Sequence, residues 1–309
     1  MEKEQPVSRR GFLKGAALLS GALLLPSLMQ GNASTSKKNN IPVFAHLWVY
    51  ASAFPPTWDS TPVLETVFSD LSYAGISGVE LMEINLTGDK SVKILNNLIS
   101  KYNFPVSGTS YNAIAPMWKK ENQEKVLNHF TLVADRLVSV KGKTVGITVT
   151  DAGHIKTENE LNAQAELLLK MLKVCEERNL APNLHNHTHE VVNNMHDLKG
   201  TLKRIPDVKL GPDLNWLIRA GINPVDFINT YGKQIVYLHI RDQYADGTWT
   251  EYLGQGVTDF KAIAKALKQQ NFNGQTAIEL AFPANFKPVN TLKKDWKMSR
   301  EFVKHTFGW

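Results

Sequence analysis

The chain has 309 residues, of which 43% are hydrophobic and 21% charged, and its formal net charge is +6. That balance excludes a disordered chain and supplies apolar side chains for a sizeable core. The positive charge forms no basic block, which argues against a nucleic-acid partner, and with Cys175 as the only cysteine no disulfide can form within the chain.

At the N-terminus, Ser8-Arg9-Arg10-Gly11-Phe12-Leu13-Lys14 precedes an apolar run from Ala16 to Met29 that Ser20, Gly21, Pro26 and Ser27 interrupt. The run is too short and too broken to span ~30 Å of hydrocarbon as a stable helix. Gly31-Asn32-Ala33 offers small residues to a signal peptidase, with cleavage after Ala33. The segment resembles a twin-arginine export signal. That resemblance implies a periplasmic or exported destination, a chain folded before transport, and no stable membrane anchor after cleavage. Residues 1–33 are therefore read as signal, 34–40 as polar linker and 41–309 as one catalytic domain. Four basic and two acidic residues in the signal account for +2 of the +6, so +4 remains on the mature chain.

From residue 41 onward, short β-branched or apolar runs alternate with helix-period segments. Eight strands are expected, at Val43–Trp48, Val79–Met82, Val106–Ser110, Val145–Thr150, Asn183–His187, Lys209–Asp213, Ile235–Ile240 and Thr276–Leu280. Between them, Leu64, Val67, Phe68 and Leu71 fall at helical spacing, as do Phe260, Ile263, Ala264 and Leu267. Thr157 with Glu160 predicts a capping box, and Asn223-Pro224 a capped helix start. Eight βα units in this length predict an α/β fold, a (β/α)8 TIM barrel. A doubly wound sheet would need a glycine-rich first turn, and Val49-Tyr50-Ala51-Ser52-Ala53 has no glycine.

Chemistry-capable residues cluster where a barrel would use them. His46 closes the first strand, Glu80 and Glu83 mark the second, and Thr148 and Asp151 the fourth. His185-Asn186-His187 closes the fifth, Asp213 the sixth, His239 with Arg241 and Asp242 the seventh, and Glu279 the eighth. Alternation along a strand lets His185 and His187 point the same way, and likewise His239 and Arg241. Imidazoles and carboxylates meeting at one point suit a divalent cation such as Mn, Co, Zn or Mg. Blander readings exist: the His185–His189 run as a surface loop, Asp213 as a helix cap, His239 as a core histidine. Glu279 resists one, because a lone carboxylate in Thr-Ala-Ile-Glu-Leu-Ala is costly to bury without a partner.

The sequence resembles the sugar isomerase/epimerase superfamily of xylose isomerase-like barrels along essentially the whole mature chain. The matching segments are Gly78-Val79-Glu80-Leu81, Leu184 to Glu190, Asp213-Leu214-Asn215-Trp216, Ala220 to Val225, Leu238 to Asp242, Gly254 to Phe260 and Ala277 to Leu280. The resemblance implies one divalent metal ion held by residues closing strands five to eight, commonly Glu, Asp, His and Glu. Asp213, His239 and Glu279 match the last three. At the fifth strand His185 stands where a glutamate is expected, so His185 is taken as the fourth ligand, with His187 or Glu190 contacting metal or substrate.

The implied activity is a sugar isomerase or epimerase that moves an α-proton through an enediolate, with Glu279 as one base and His185, His187 or Glu190 opposite it. A lyase or hydratase on 3-keto-sugars, 3-keto-glycosides or keto-inositols is the runner-up. His46, Trp48, Glu80, Trp216 and Arg241 are read as substrate-binding, and Trp118 as a further stacking face. The expected partner is a small carbohydrate, and the exported destination with no glycine-rich phosphate cradle favours a neutral or oxidised sugar. A homo-oligomer is compatible with the sequence. Two remoter readings remain, a non-catalytic sugar-binding barrel and an enzyme like the endonucleases that act at abasic DNA.

Overall fold

In a computed structural model, residues 41–283 and 285–309 are described. The export segment and its linker lie outside them. Seven parallel strands run β1 (Val43–His46), β2 (Val79–Met82), β3 (Val106–Asn112), β4 (Thr144–Thr148), β5 (Ala181–Leu184), β6 (Tyr237–Ile240) and β7 (Gln275–Ile278). They pair in the order β5-β4-β3-β2-β1-β7-β6, and helices surround the sheet.

The expected sixth strand is reduced to a bridging segment. Leu184 N–H donates to Lys209 O at 2.8 Å, Gly211 N–H to Leu184 O at 2.8 Å, and Val236 N–H to Leu210 O at 2.9 Å. Residues 209–213 thereby join β5 to β6 and bring the sheet round to a barrel. Pro212 has no N–H to donate, so it contributes an acceptor without a donor there. Gly211 is needed because a Cβ on it would collide with the Asn183 side chain.

Strand ends also differ from the sequence reading. β1 stops at His46, whose ring Nδ1 accepts from Trp48 N–H at 3.2 Å and turns the chain into the short helix α1 (Trp48–Ala51). β5 stops at Leu184, leaving His185 to His187 in the turn that leads into a helix.

The helices that follow are α2 (Leu64–Ala74), α3 (Ser91–Tyr102), α4 (Gln123–Ser139), α5 (Glu158–Glu177), α6 (Thr188–Arg204), α7 (Leu214–Arg219), α8 (Pro224–Tyr231), α9 (Phe260–Gln269) and α10 (Leu292–Phe307). The apolar stripe of α2 is buried as its spacing requires, at Leu64, Val67, Phe68 and Leu71. Each such side chain contributes about 1.5–3 kcal/mol by leaving water. Thr157 and Glu160 form the expected capping box of α5, and Asn223 caps α8 by accepting from Val225 N–H.

One buried carboxyl pair gives the barrel a testable pH dependence. Asp295, fully buried in the first turn of α10, lies with Glu251 around Asn290, which donates its N–H to Glu251 and its amide to Asp295. Burial, and then the charge of Glu251, push Asp295 up to about 7. The folded chain therefore holds a proton that the unfolded chain has released, and this stability is lost as pH rises through that value. Asp295→Asn is expected to melt a few degrees above wild type at pH 8 and to lose that advantage near pH 4. Thermal unfolding at the two pH values checks it.

Candidate metal and substrate site

The C-terminal ends of the strands surround a cavity of about 500 Å³. Its wall includes His46 and Trp48 from the first unit, Glu83 and Ile84 from the second, Ser110 and Asn112 from the third. His185, His187, Trp216, His239, Arg241, Trp249 and Glu279 complete the other half.

The nitrogen and oxygen donors of His185, Asp213 and His239 all lie within 4.8 Å of one another, and all three residues are buried. Glu279 joins them, with Oε2 2.8 Å from His239 Nδ1 and Oε1 2.7 Å from Arg241 Nη2. The same Arg241 nitrogen lies 2.6 Å from Asp213 Oδ2, so one guanidinium sits between the two carboxylates. Burial disfavours this cation, and Asp213 with Glu279 more than offset that penalty.

Asp213 has two jobs. Its Oδ1 accepts from Asn215 N–H at 2.8 Å and Trp216 N–H at 3.2 Å, capping α7, while Oδ2 faces the site. Helix cap and donor cluster are one residue.

His239 is oriented from behind. Its Nε2 lies 2.6 Å from Glu80 Oε2, which also accepts from the Tyr237 hydroxyl at 3.1 Å. Nδ1 is buried and lies 2.8 Å from Glu279 Oε2, with no other partner. Burial pulls His239 down, yet Glu80 and Glu279 raise it to about 10. His185 moves the other way, held well below the usual histidine range by burial and by its histidine neighbours. A neutral imidazole suits ligation.

This donor set fits a divalent cation. The Nδ1 of His239, which would give up its proton on binding, the carboxylate behind its other nitrogen and the neutral imidazole of His185 are what borderline divalent ions bind. His185, Asp213, His239 and Glu279 would hold the ion, with Arg241 sharing the carboxylates.

Two expected site residues lie elsewhere. Glu80 is not in the cavity wall: it pairs in register with His46 inside the barrel and is held behind the His239 ring. Glu190 is also outside this wall. Its Oε2 accepts from His187 N–H at 2.8 Å in the capping box of α6 and pairs with His189 at 3.1 Å. Helix capping draws the carboxylate back along the chain. Trp118 packs edge-on against His154 beyond the wall.

His46, Trp48, His185, His187, Trp216, His239, Arg241 and Glu279 all reach the cavity. Sequence reasoning missed Trp58, Ser110, Asn112 and Trp249 there. Trp249 arrives on a small hairpin whose turn is Asp246-Gly247, a readable signal, and its Nε1 donates to Asn215. Arg241 lies 5.2 Å from the ring centres of both Trp216 and Trp249. Asp242 faces away from the cavity and accepts from Gly254 and Gly256 N–H, which explains that glycine pair: a Cβ at Gly256 would strike Gln243 O and the Asp242 carboxylate.

Residues 68–304 match the xylose isomerase-like TIM barrel family, and the chain belongs to it. Among curated proteins, an inosose dehydratase of Clostridium beijerinckii is 22% identical over 79% of this chain and 90% of its own length. Among solved structures, an L-ribulose 3-epimerase superposes with a TM-score of 0.71 at 16% identity, covering 87% of this chain and 95% of that one. A 3-keto-D-glucoside 4-epimerase from E. coli gives a TM-score of 0.65 at 14% identity, covering 84% and 99%.

Proposed function

We propose that this chain is a divalent-cation-dependent carbohydrate enzyme that removes a proton next to a carbonyl, acting as an isomerase or epimerase. The observation that carries this is Glu279: a cavity-wall carboxylate whose two oxygens face Arg241 and His239, beside the clustered donors of His185 and Asp213. A cation bound by these donors would supply positive charge where the substrate oxygen becomes negative. The protein's own groups supply the rest. Glu279 accepts the α-proton, Arg241 adds charge and direction, and Trp48, Trp58, Trp216 and Trp249 offer faces for a sugar ring. The epimerases of similar fold support this reading.

Elimination from a keto-sugar is the second reading. It is favoured by an imidazole, not a second acid, at the fifth-strand position, and by the inosose dehydratase relatives. Deuterium uptake from heavy water tests both, with D-fructose and methyl 3-keto-β-D-glucopyranoside as probes. Enzyme-dependent uptake beside the carbonyl is the expected result; no uptake with either rejects proton abstraction.

Export by the N-terminal segment is part of the proposal, resting on Ser8 to Lys14 and the apolar run after it. Arg9→Lys with Arg10→Lys is expected to strand the full chain in the cytoplasm. Fractionation showing the double variant exported as well as wild type contradicts a twin-arginine route. Among the described residues no helix is long and apolar enough to cross a membrane.

A further inference from the structure

The donors of the proposed cation site occupy one half of the barrel mouth: β5, the segment 209–213, β6 and the end of β7. On the other half, at the ends of β2 and β3, the cavity wall carries Glu83 with Ser110 and Asn112. Glu83 leaves the strand in a turn of 3-10 helix, Glu83–Leu86. Its Oε2 is buried with no hydrogen-bond partner, and it forms no ion pair among the described residues. A carboxyl kept for structure is normally satisfied by donors. Glu83 lines the cavity with donors from Asn112 and the backbone on only part of its carboxyl, and leaves Oε2 unsatisfied.

We infer that Glu83 is a second catalytic residue, the acid that delivers a proton to the substrate from the β2–β3 side of the mouth, two strands from Glu279. The inference rests on the proton-transfer reading above and fills the place that the fifth-strand histidine leaves open. Burial pushes the Glu83 carboxyl up to about 7, against the Asn112 amide and backbone donors that hold it down. Such a group is divided between its protonated and ionised forms at neutral pH, so it can hold a proton and release it.

In epimerisation, Glu279 takes the α-proton and the C–H electron pair moves into the carbon skeleton as an enediolate. The pair then returns to the same carbon and forms a new C–H bond with the proton of Glu83, on the opposite face. Glu279 ends protonated and Glu83 ionised, and exchange with water resets both. In elimination the enolate collapses to the carbonyl and its pair forms the new C=C bond, the Cβ–O bond breaks with its pair going to oxygen, and the Glu83 proton goes to that oxygen, releasing an alcohol and an unsaturated ketone.

The test compares wild type, Glu83→Gln and Glu83→Ala in heavy water with methyl 3-keto-β-D-glucopyranoside and D-fructose. Uptake beside the carbonyl reports Glu279; epimer formation or methanol release reports the second proton transfer. Glu83→Gln is expected to keep uptake while product formation falls roughly 10²–10⁴-fold. Glu83→Ala is expected to regain product formation when formate is added. Product formation by Glu83→Gln at the wild-type rate overturns the assignment alone, as does failure of formate to restore a folded Glu83→Ala. Absence of uptake by wild type overturns the proton-transfer reading, and this assignment with it.

Discussion

Glu279→Gln is expected to lose deuterium uptake and turnover together, by roughly 10²–10⁴-fold, while Glu83→Gln loses only turnover. The amide matches the carboxylate in shape and still accepts from Arg241, so the barrel should fold. What disappears is the lone pair that takes the proton. Burial alone would raise this carboxyl, but Arg241, His46 and His239 hold it well below the usual carboxylate range, so it is ionised and ready to accept. The same change leaves Arg241 and His239 with less negative charge between them, which should cost about 1–3 kcal/mol of stability. Isotope uptake with thermal unfolding separates the two losses. Normal uptake in a folded Glu279→Gln would move the base elsewhere.

The second large effect concerns cation binding. Asp213→Asn retains an oxygen to cap α7 yet removes the charge that faces the donor cluster. Glu80→Gln leaves every proposed ligand in place and weakens only the group behind His239. Removal of such an outer partner costs about 10–100-fold in metal affinity. Asp213→Asn should cost more than that, and Glu80→Gln should fall within it. Calorimetric titration of the chelator-treated protein with Mn or Zn gives both numbers. Equal, negligible losses in the two variants would show that the cluster is an ion-pair network only.

The barrel was legible because period-two and period-3.6 patterns alternate cleanly from Val43 onward, and helix starts such as Thr157 and Asn223 carry their own caps. The sixth strand was over-read. Lys209–Asp213 has the apolar look of a strand, but closure of the barrel there needs only a few bridging hydrogen bonds, and Pro212 contributes an acceptor without a donor. Convergence of His185, Asp213, His239 and Glu279 could be read from position, since successive strand ends in a barrel face one mouth.

Depth could not be read in the same way. Glu80 sits one layer down beside His46, where its carboxyl meets the His239 imidazole behind the cavity wall. Glu83, three residues on, would face away if the strand continued. The chain turns at Met82, and that turn swings it into the cavity wall. Glu190 stands beside His187 and His189 as the sequence suggests, and the N-terminus of α6 takes one of its oxygens, which keeps it outside the cavity wall. Trp58 reaches the mouth on a loop whose path no periodicity describes, whereas the Asp246-Gly247 turn marks the hairpin that carries Trp249.

The most direct test is anomalous diffraction from crystals of the protein grown with Mn. The account predicts one strong peak per chain, within bonding distance of His185, Asp213, His239 and Glu279, with Nδ1 of His239 turned toward it. No peak there, with Arg241 still holding both carboxylates by itself, would contradict it.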